Sequence, residues 1–524
     1  LLADSSKFPS PGPPRDPSRN ERFNNMSTPL TARSAVELRR MIGAREISPV
    51  ELLDACVERI EALNPAVNAM AAKAYGRARL EAKAAEAAVL RGEVLGRLHG
   101  LPIGIKDLQD TEGILTTFGS PLYSNNVPTR DSAQVALARA AGAIVVAKTN
   151  VPEFGAGANS RNPVWGATGN PFNPALNAGG SSGGSAVALA LDMLPLCTGS
   201  DTGGSLRIPA AICGVVGFRP SPGLVPMEGR QLGWTPISVL GPMGRNVADT
   251  RMLFAAQLGV DSRDPLSRRL DPEAAARSSP VDLSRLRVAW TTDFGQCPVS
   301  SEIRGVMRSR MQAMRHLFAT VDEFSFDLGQ ADRCFDVVRA QNFVAKYQDS
   351  YERDCSQLGP NIRANYEIGR AMSLADTAWA HAEQTVVFRR FQQIFLDYDI
   401  VMAPTTPVTP FPWSQLYLAE LEGQTLNNYY HWLALTYVIT LVTNPSIALP
   451  CGVDDHAMPF GLQVVGRFGG DVELLNISEA LEQAFSGING LGRPLPDVAA
   501  LTTARPELRE IVTDEPAQKW REGR

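Results

Sequence analysis

Histidine is scarce in this chain, with five in 524 residues. A hydrolase built on a Ser–His pair would have few places to find its base, and His381, His431 and His456 are the candidates downstream of the glycine-rich centre. Cysteine is sparse too. The seven thiols are odd in number and contain no CxxC pair, which reads as reduced, mostly buried cysteines in a cytoplasmic protein. Excess positive charge is missing: the formal net charge of -5 leaves no basic footprint for nucleic acid or an anionic membrane surface. Long apolar runs are missing as well. The longest, "WLALTYVITLV" from Trp432 to Val442, falls far short of the roughly 20 residues of a membrane span and reads as a buried helix.

The rest is ordinary globular composition, 44% hydrophobic and 20% charged, expected of a soluble enzyme. Residues 1–30 are rich in Pro, Ser and charge without the order of a signal peptide; they read as a disordered leader, with Met26 the expected natural start. Residues 501–524 read as a polar tail. Between them, 31–500 shows no internal repeat and no low-complexity linker, so one large α/β domain is the economical reading. The loop 261–282 is the expected surface excursion or internal division.

Local signals alternate between helix and strand. Ser48, Pro49 and Glu51 form a capping box ahead of "VELLDACVERIEAL", and an alanine-rich helix is expected over 72–92. "LPIGIKDL" (101–108) has strand character, with Gly104 and Lys106 on one face. A helix at "DSAQVALARAAG" then leads into the strand "AIVVAK", which ends at Lys148. The rhythm returns at "SAVALALDML" and "LPLCTGSD". Further on, "RLRVAW" and "DIVMAPTTP" read as strands, and 302–318 and 376–395 as helices.

Two Gly/Ser clusters bracket one of these units: "GGSSGGS" (179–185) and "GSDTGGS" (199–205). The first matches GxSxG, but "GNPFNPALNA" before it, with two prolines, cannot be the strand that a nucleophile elbow requires. The apolar run after it excludes a linker. Phosphate cradling by helix-opening amides keeps a non-enzymatic anion-binding protein as the alternative of a different class. The second cluster has the better chemistry: Gly203 and Gly204 permit a turn in which the amides of Thr202, Gly203, Gly204 and Ser205 converge beside the Ser205 hydroxyl, as an oxyanion hole requires. Ser205 is therefore the candidate nucleophile. Without a histidine in reach, a neutral lysine is the next base, and Lys106 is the candidate. Bringing a lysine from about 10.4 to a working range near 7 to 8 costs roughly 3 to 4 kcal/mol, which burial in a strand can supply.

These residues resemble the amidase signature hydrolases. "GLPIGIKDL", "AGAIVVAKTNVPEF", "GGSSGGSAVALA", "GSDTGGSLRIPA", "YDIVMAPTTP", "NPSIALPCG" and "PFGLQVVGR" stand in that family's order, and the resemblance covers about residues 31–490. It implies a central mixed, twisted β-sheet covered by helices on both faces. It also implies a triad in which Ser205 attacks an amide, Ser181 relays the proton and Lys106 is the ultimate base, with a cis peptide bond between Gly180 and Ser181. Ser182, Asp201 and Arg207 would support the catalytic loop, and Tyr123, Phe154 and Trp165 would shape the substrate pocket. The expected substrate is a small amide, with anilides, esters and carbamates as related acyl donors. No metal or organic cofactor is implied, and no membrane or nucleic-acid partner. A homodimer packed through the helices around 31–64 follows by family analogy. A glutamine amidotransferase of the A type is the alternative within the family; the run "YEIGRAMSLADTAWAHAEQTVVFRRF" departs from the pattern of that protein and favours a free-standing amidase.

Overall fold

The computed structural model describes residues 28–510, so Met26, the leader before Thr28 and the tail beyond Glu510 lie outside the described residues. Eleven strands build one sheet: β1 (Met70–Lys73), β2 (Pro102–Lys106), β3 (Ile144–Thr149), β4 (Leu196–Asp201), β5 (Val216–Arg219), β6 (Val239–Gly244), β7 (Arg287–Trp290), β8 (Thr320–Glu323), β9 (Ile400–Pro404), β10 (Ser446–Val453) and β11 (Pro459–Val465). Their spatial order is β1-β3-β2-β4-β6-β5-β10-β11-β9-β7-β8. Pairing is parallel within β3-β2-β4 and within β9-β7-β8, and antiparallel elsewhere. Buried parallel strands are covered on both faces, and every residue of β2, β3 and β9 is accordingly buried.

The helices that matter for the site are α1 (Pro49–Val67), α2 (Gly183–Ala190), α3 (Arg207–Cys213), α4 (Ala331–Asp354), α5 (Pro360–Arg370), α6 (Leu374–Asp397) and α7 (Ala434–Val442). The α1 capping box forms as the sequence implies, with the Glu51 amide donating to Ser48 Oγ at 3.0 Å and the Ser48 amide to Glu51 Oε2 at 2.9 Å. Both α2 and α7 are buried along their whole length. That explains why α2 has no polar face: a helix enclosed on all sides has no use for one. Two large apolar clusters fill the interior. One joins α1, β2, β3 and α2; the other joins α4, α6, α7 and the strands from β7 onward.

Several expectations need correction. The alanine-rich helix starts at Tyr75, not 72, because Met70–Lys73 pairs with β3 as an edge strand. Sheet pairing overrides the helix propensity of alanine there. Strands β1, β5, β6 and β8 and helices α4 and α5 are not anticipated by the local sequence signals. In α4 the apolar residues Phe335, Val338, Phe343 and Tyr347 recur at helical spacing, but charged residues dilute the pattern. The loop 261–282 contains a short helix, Pro272–Ala276, and its Ala275 and Asp264 are buried. One sheet continues across it, so it divides nothing. Nor is 501–510 a free tail: Leu501 and Leu508 are buried, and the Leu508 carbonyl lies where a side chain on Gly166 would point.

Candidate active site

The C-terminal ends of β2 and β4 place two elements of the site side by side, the usual position for ligands in an open α/β sheet. Lys106 is the last residue of β2 and is fully buried. Its own amide donates to Thr198 Oγ1 at 2.9 Å, which fixes the strand end against β4. Gly104 opens no channel beside it, since Cys197, Leu194 and Thr149 crowd the space where a β-carbon would go. The Lys106 amine instead meets three hydroxyls: Ser181 at 2.8 Å, Ser182 at 2.7 Å and Ser200 at 2.9 Å.

No carboxylate pairs with that amine among the described residues. Burial drives its pKa well below the ordinary lysine value, and Asp201, the one acid with a felt charge, opposes this only in part. A neutral amine has a lone pair, so it can accept a proton from a serine hydroxyl. Lys148, the other buried lysine at a strand end, points elsewhere: its amine donates to the Gln109 carbonyl and to Thr111 Oγ1, and burial pushes its pKa down to about 8.

Ser181 and Ser182 sit just ahead of α2. The Gly180–Ser181 peptide bond is cis, as the resemblance implies. Glycine is required on both sides of this turn: Gly179 has φ +71°, and a β-carbon on Gly183 would lie 2.4 Å from Ser160 Oγ. Ser160 Oγ in turn accepts the Gly183 amide at 3.0 Å. Ser182 does not hold the Asp201 loop, as expected of it, but touches the lysine amine directly.

Asp201 shapes the second loop. Fully buried, it accepts the amides of Gly204 at 3.0 Å and Leu206 at 3.1 Å, and it pairs with Arg207 at 2.9 Å and Arg219 at 3.0 Å. Burial works against its charge, yet the two guanidinium groups win and hold the carboxyl below the usual carboxylate range. Arg207 also donates to Thr436, Thr440 and Gln463, so α7 and β11 clamp the loop from behind. Asp201 and Arg207 are thus bonded to each other and to the elements around this loop. Thr436 Oγ1 adds a further bond, donating to the Gly203 carbonyl at 2.6 Å. Gly204, with φ +122°, has no room for a side chain because Thr436 Oγ1 would stand 2.3 Å away.

The expected oxyanion hole lacks one of its four donors. The Gly204 amide is committed to Asp201 at 3.0 Å, while Thr202, Gly203 and Ser205 line the cavity. Ser205 precedes α3 by two residues, and Ser205, Ser181, Ser200 and Gly203 line the same cavity of about 380 Å³. No hydrogen bond joins Ser205 to Ser181 among the described residues; catalytic contacts of this kind commonly shorten only when substrate is bound. No histidine lines that cavity among the described residues. His431, the nearest to α7 in sequence, is held by Asp336 at 2.9 Å instead.

Of the three aromatic residues expected at the pocket, Phe154 lines it. Tyr123 packs edge-on to Phe154 at 5.8 Å and supports that ring from outside. Trp165 is not part of the wall: its indole N–H donates to Thr117 Oγ1 at 2.8 Å, which turns the ring toward the N-terminal apolar cluster. Sequence reasoning missed Ser200, Arg219 and the α4 wall. Ser200 alternates with Thr198 along β4, a polar spacing that marks the face toward Lys106; Arg219 and α4 have no comparable local signal.

Comparison with known proteins decides the family. The amidase family model matches residues 51–475, most of the chain. This chain belongs to the amidase family. Among its relatives, an acylamidase of Rhodococcus erythropolis is 32% identical over 457 residues, covering 86% of this chain and 94% of that protein. The A-type polypeptide of the glutamyl-tRNA(Gln) amidotransferase of Acaryochloris marina is also 32% identical, over 85% of this chain and 97% of its own length. A bacterial aryl acylamidase, described as an amidase signature enzyme, superposes with a TM-score of 0.80 at 26% identity, covering 87% of this chain and 97% of that one. The protein is an amidase signature hydrolase, and among the described residues no helix is long and apolar enough to cross a membrane.

Proposed function

We propose that this amidase cleaves the C–N bond of a free small-molecule acyl amide through an acyl-enzyme on Ser205. Ser205 Oγ attacks the amide carbonyl while its proton passes to Ser181 and the proton of Ser181 passes to the neutral Lys106 amine. The negative charge on the former carbonyl oxygen falls to the amides of Thr202, Gly203 and Ser205. Collapse breaks the C–N bond, and the departing amine takes the proton back along the same path. Water then adds to the ester, its proton following the relay, and the carboxylic acid leaves. Anilides, esters and carbamates share that intermediate, so they belong to the same class of acyl donors.

The observation that carries this reading is the buried Lys106 amine, without an acid partner among the described residues and 2.8 Å from Ser181 Oγ. The acylamidase among the relatives supports an acylated amine as substrate. The negative net charge fits a free small molecule rather than a nucleic-acid-bound one. Seven free thiols suit a reducing, cytoplasmic setting. Turnover of a panel of aliphatic amides, anilides and carbamates by the wild type, Ser205→Ala and Ser181→Ala tests the route. Activity in the wild type and loss in both variants is expected; undiminished turnover by Ser205→Ala contradicts it.

A further inference from the structure

One wall of the cavity comes from a single helix face. Arg339, Asn342, Phe343, Lys346 and Tyr347 of α4 recur three and four residues apart and line the same space as Ser205. Two of them are cations, and neither has an acid partner among the described residues. Arg339 is only 7% exposed. Its Nε donates to Asn365 Oδ1 at 3.1 Å and its Nη2 to the Tyr429 hydroxyl, both neutral groups. The ring faces of Tyr430 and Phe343 lie 4.8 Å and 4.9 Å from its guanidinium carbon.

The two acids that precede Arg339 on the same helix are occupied elsewhere. Asp332 accepts from the Tyr437 hydroxyl, and Asp336 from Tyr430, Asn428 and His431. Lys346 lies over the rings of Phe154 and Tyr347, at 5.7 Å and 5.2 Å. Its side chain reaches solvent, and no carboxylate pairs with it among the described residues. The third cation on the wall, Arg230, differs: it pairs with Asp264 at 3.5 Å. The acids on the wall, Asp110 and Glu228, belong to segments outside α4. A buried guanidinium without a counter-charge is costly unless a ligand supplies one.

The path to the reacting centre is short. Phe335 stands 3.5 Å from where a β-carbon of Gly203 would be, and the Arg339 guanidinium carbon is 6.0 Å from the centre of that same ring. We propose that Arg339, with Lys346, receives a carboxylate carried by the substrate, so that the preferred substrates are amides bearing a free carboxylate beside the scissile bond. This rests on Ser205 as the nucleophile and adds the substrate class. The carboxylate belongs either to the acyl half, as in a half-amide of a dicarboxylic acid, or to the amine half, as in an N-acyl amino acid.

Matched pairs separate these sources. Succinyl para-nitroanilide against levulinoyl para-nitroanilide places the charge on the acyl side; butanoyl para-aminobenzoate against butanoyl para-aminobenzamide places it on the amine side. In the wild type the carboxylated member of one pair is expected to show a kcat/KM on the order of 10- to 100-fold higher, the worth of a charge-assisted hydrogen bond. Arg339→Gln should erase that ratio, Arg339→Lys should keep part of it, and Lys346→Gln, at a residue that reaches solvent, should reduce it without a folding risk. Titrating the same four compounds into Ser205→Ala reads binding without turnover. Carboxylated members that are neither bound more tightly nor turned over faster, in both pairs, overturn the assignment. Turnover of the neutral members in that case leaves the Ser205 route standing, whereas loss of turnover alone, with the binding preference intact, counts against that route and not against the carboxylate site.

Discussion

Replacing Lys106 with methionine should change how stability depends on pH as well as stopping the reaction. In the folded protein the Lys106 amine is buried and its pKa lies well below the ordinary value, whereas in the unfolded chain it titrates near 10.4. A lysine with a depressed folded pKa takes up a proton on unfolding. At neutral pH that uptake favours the unfolded state; the penalty shrinks as pH rises from the folded pKa toward the unfolded one and is gone above it. Within this window the slope is about 1.4 kcal/mol per pH unit for one proton. Methionine has a similar length and no proton to exchange, so the variant lacks that slope. It loses the bonds to Ser181, Ser182 and Ser200, at roughly 1 to 3 kcal/mol for each hydroxyl left unpaired. Lys148, with its pKa near 8, titrates in both proteins and cancels from the difference. Urea unfolding of both proteins between about pH 7 and about pH 9 gives the result: the wild type should gain on the variant as pH rises. A constant difference across that range would mean that Lys106 is charged in the folded state, and the general-base role would fail with it. Activity should fall by about 10²- to 10⁴-fold in the variant, the usual worth of a general base.

Asp201→Asn removes the charge between Arg207 and Arg219, and the two buried guanidinium groups then repel without compensation; a loss of about 3 to 5 kcal/mol is expected in urea unfolding. Gly204→Ala places a β-carbon 2.3 Å from Thr436 Oγ1 at a backbone φ of +122°, so the loop must shift, and kcat should drop while the protein still melts cooperatively at a lower temperature. Trp165→Phe loses the bond to Thr117, about 1 kcal/mol of stability, and should leave KM unchanged because the ring is not part of the cavity wall.

The chemistry of this site is more legible in the sequence than its walls. Lys106 ends a buried strand, while Ser181 and Ser205 sit in short glycine-rich turns ahead of helices, and such turns impose local residue requirements: Gly179, Gly183 and Gly204 are needed by φ or by space. Those requirements leave marks in adjacent letters. Arg339 and Lys346 leave none, because a helix face tolerates many residues and reaches the site only through the packing of α4 against its neighbours. Arg219 is silent for a related reason: its partner, Asp201, lies on a strand that is not its neighbour in the sheet. The Gly204 amide shows the limit of motif reasoning from the other side. Four consecutive amides look equivalent in sequence, yet the Asp201 carboxylate claims one of them. Trp165 stands near the glycine-rich segment in the chain, while a single hydroxyl, Thr117, turns its ring away from the pocket.

The nucleophile can be read directly by treating the wild type with a fluorophosphonate, digesting it and locating the phosphonylated peptide by mass spectrometry. One adduct is expected, on Ser205, formed far more slowly when Lys106 is replaced by alanine. An adduct on Ser181 instead, or labelling of Ser205 at an unchanged rate in Lys106→Ala, would contradict it.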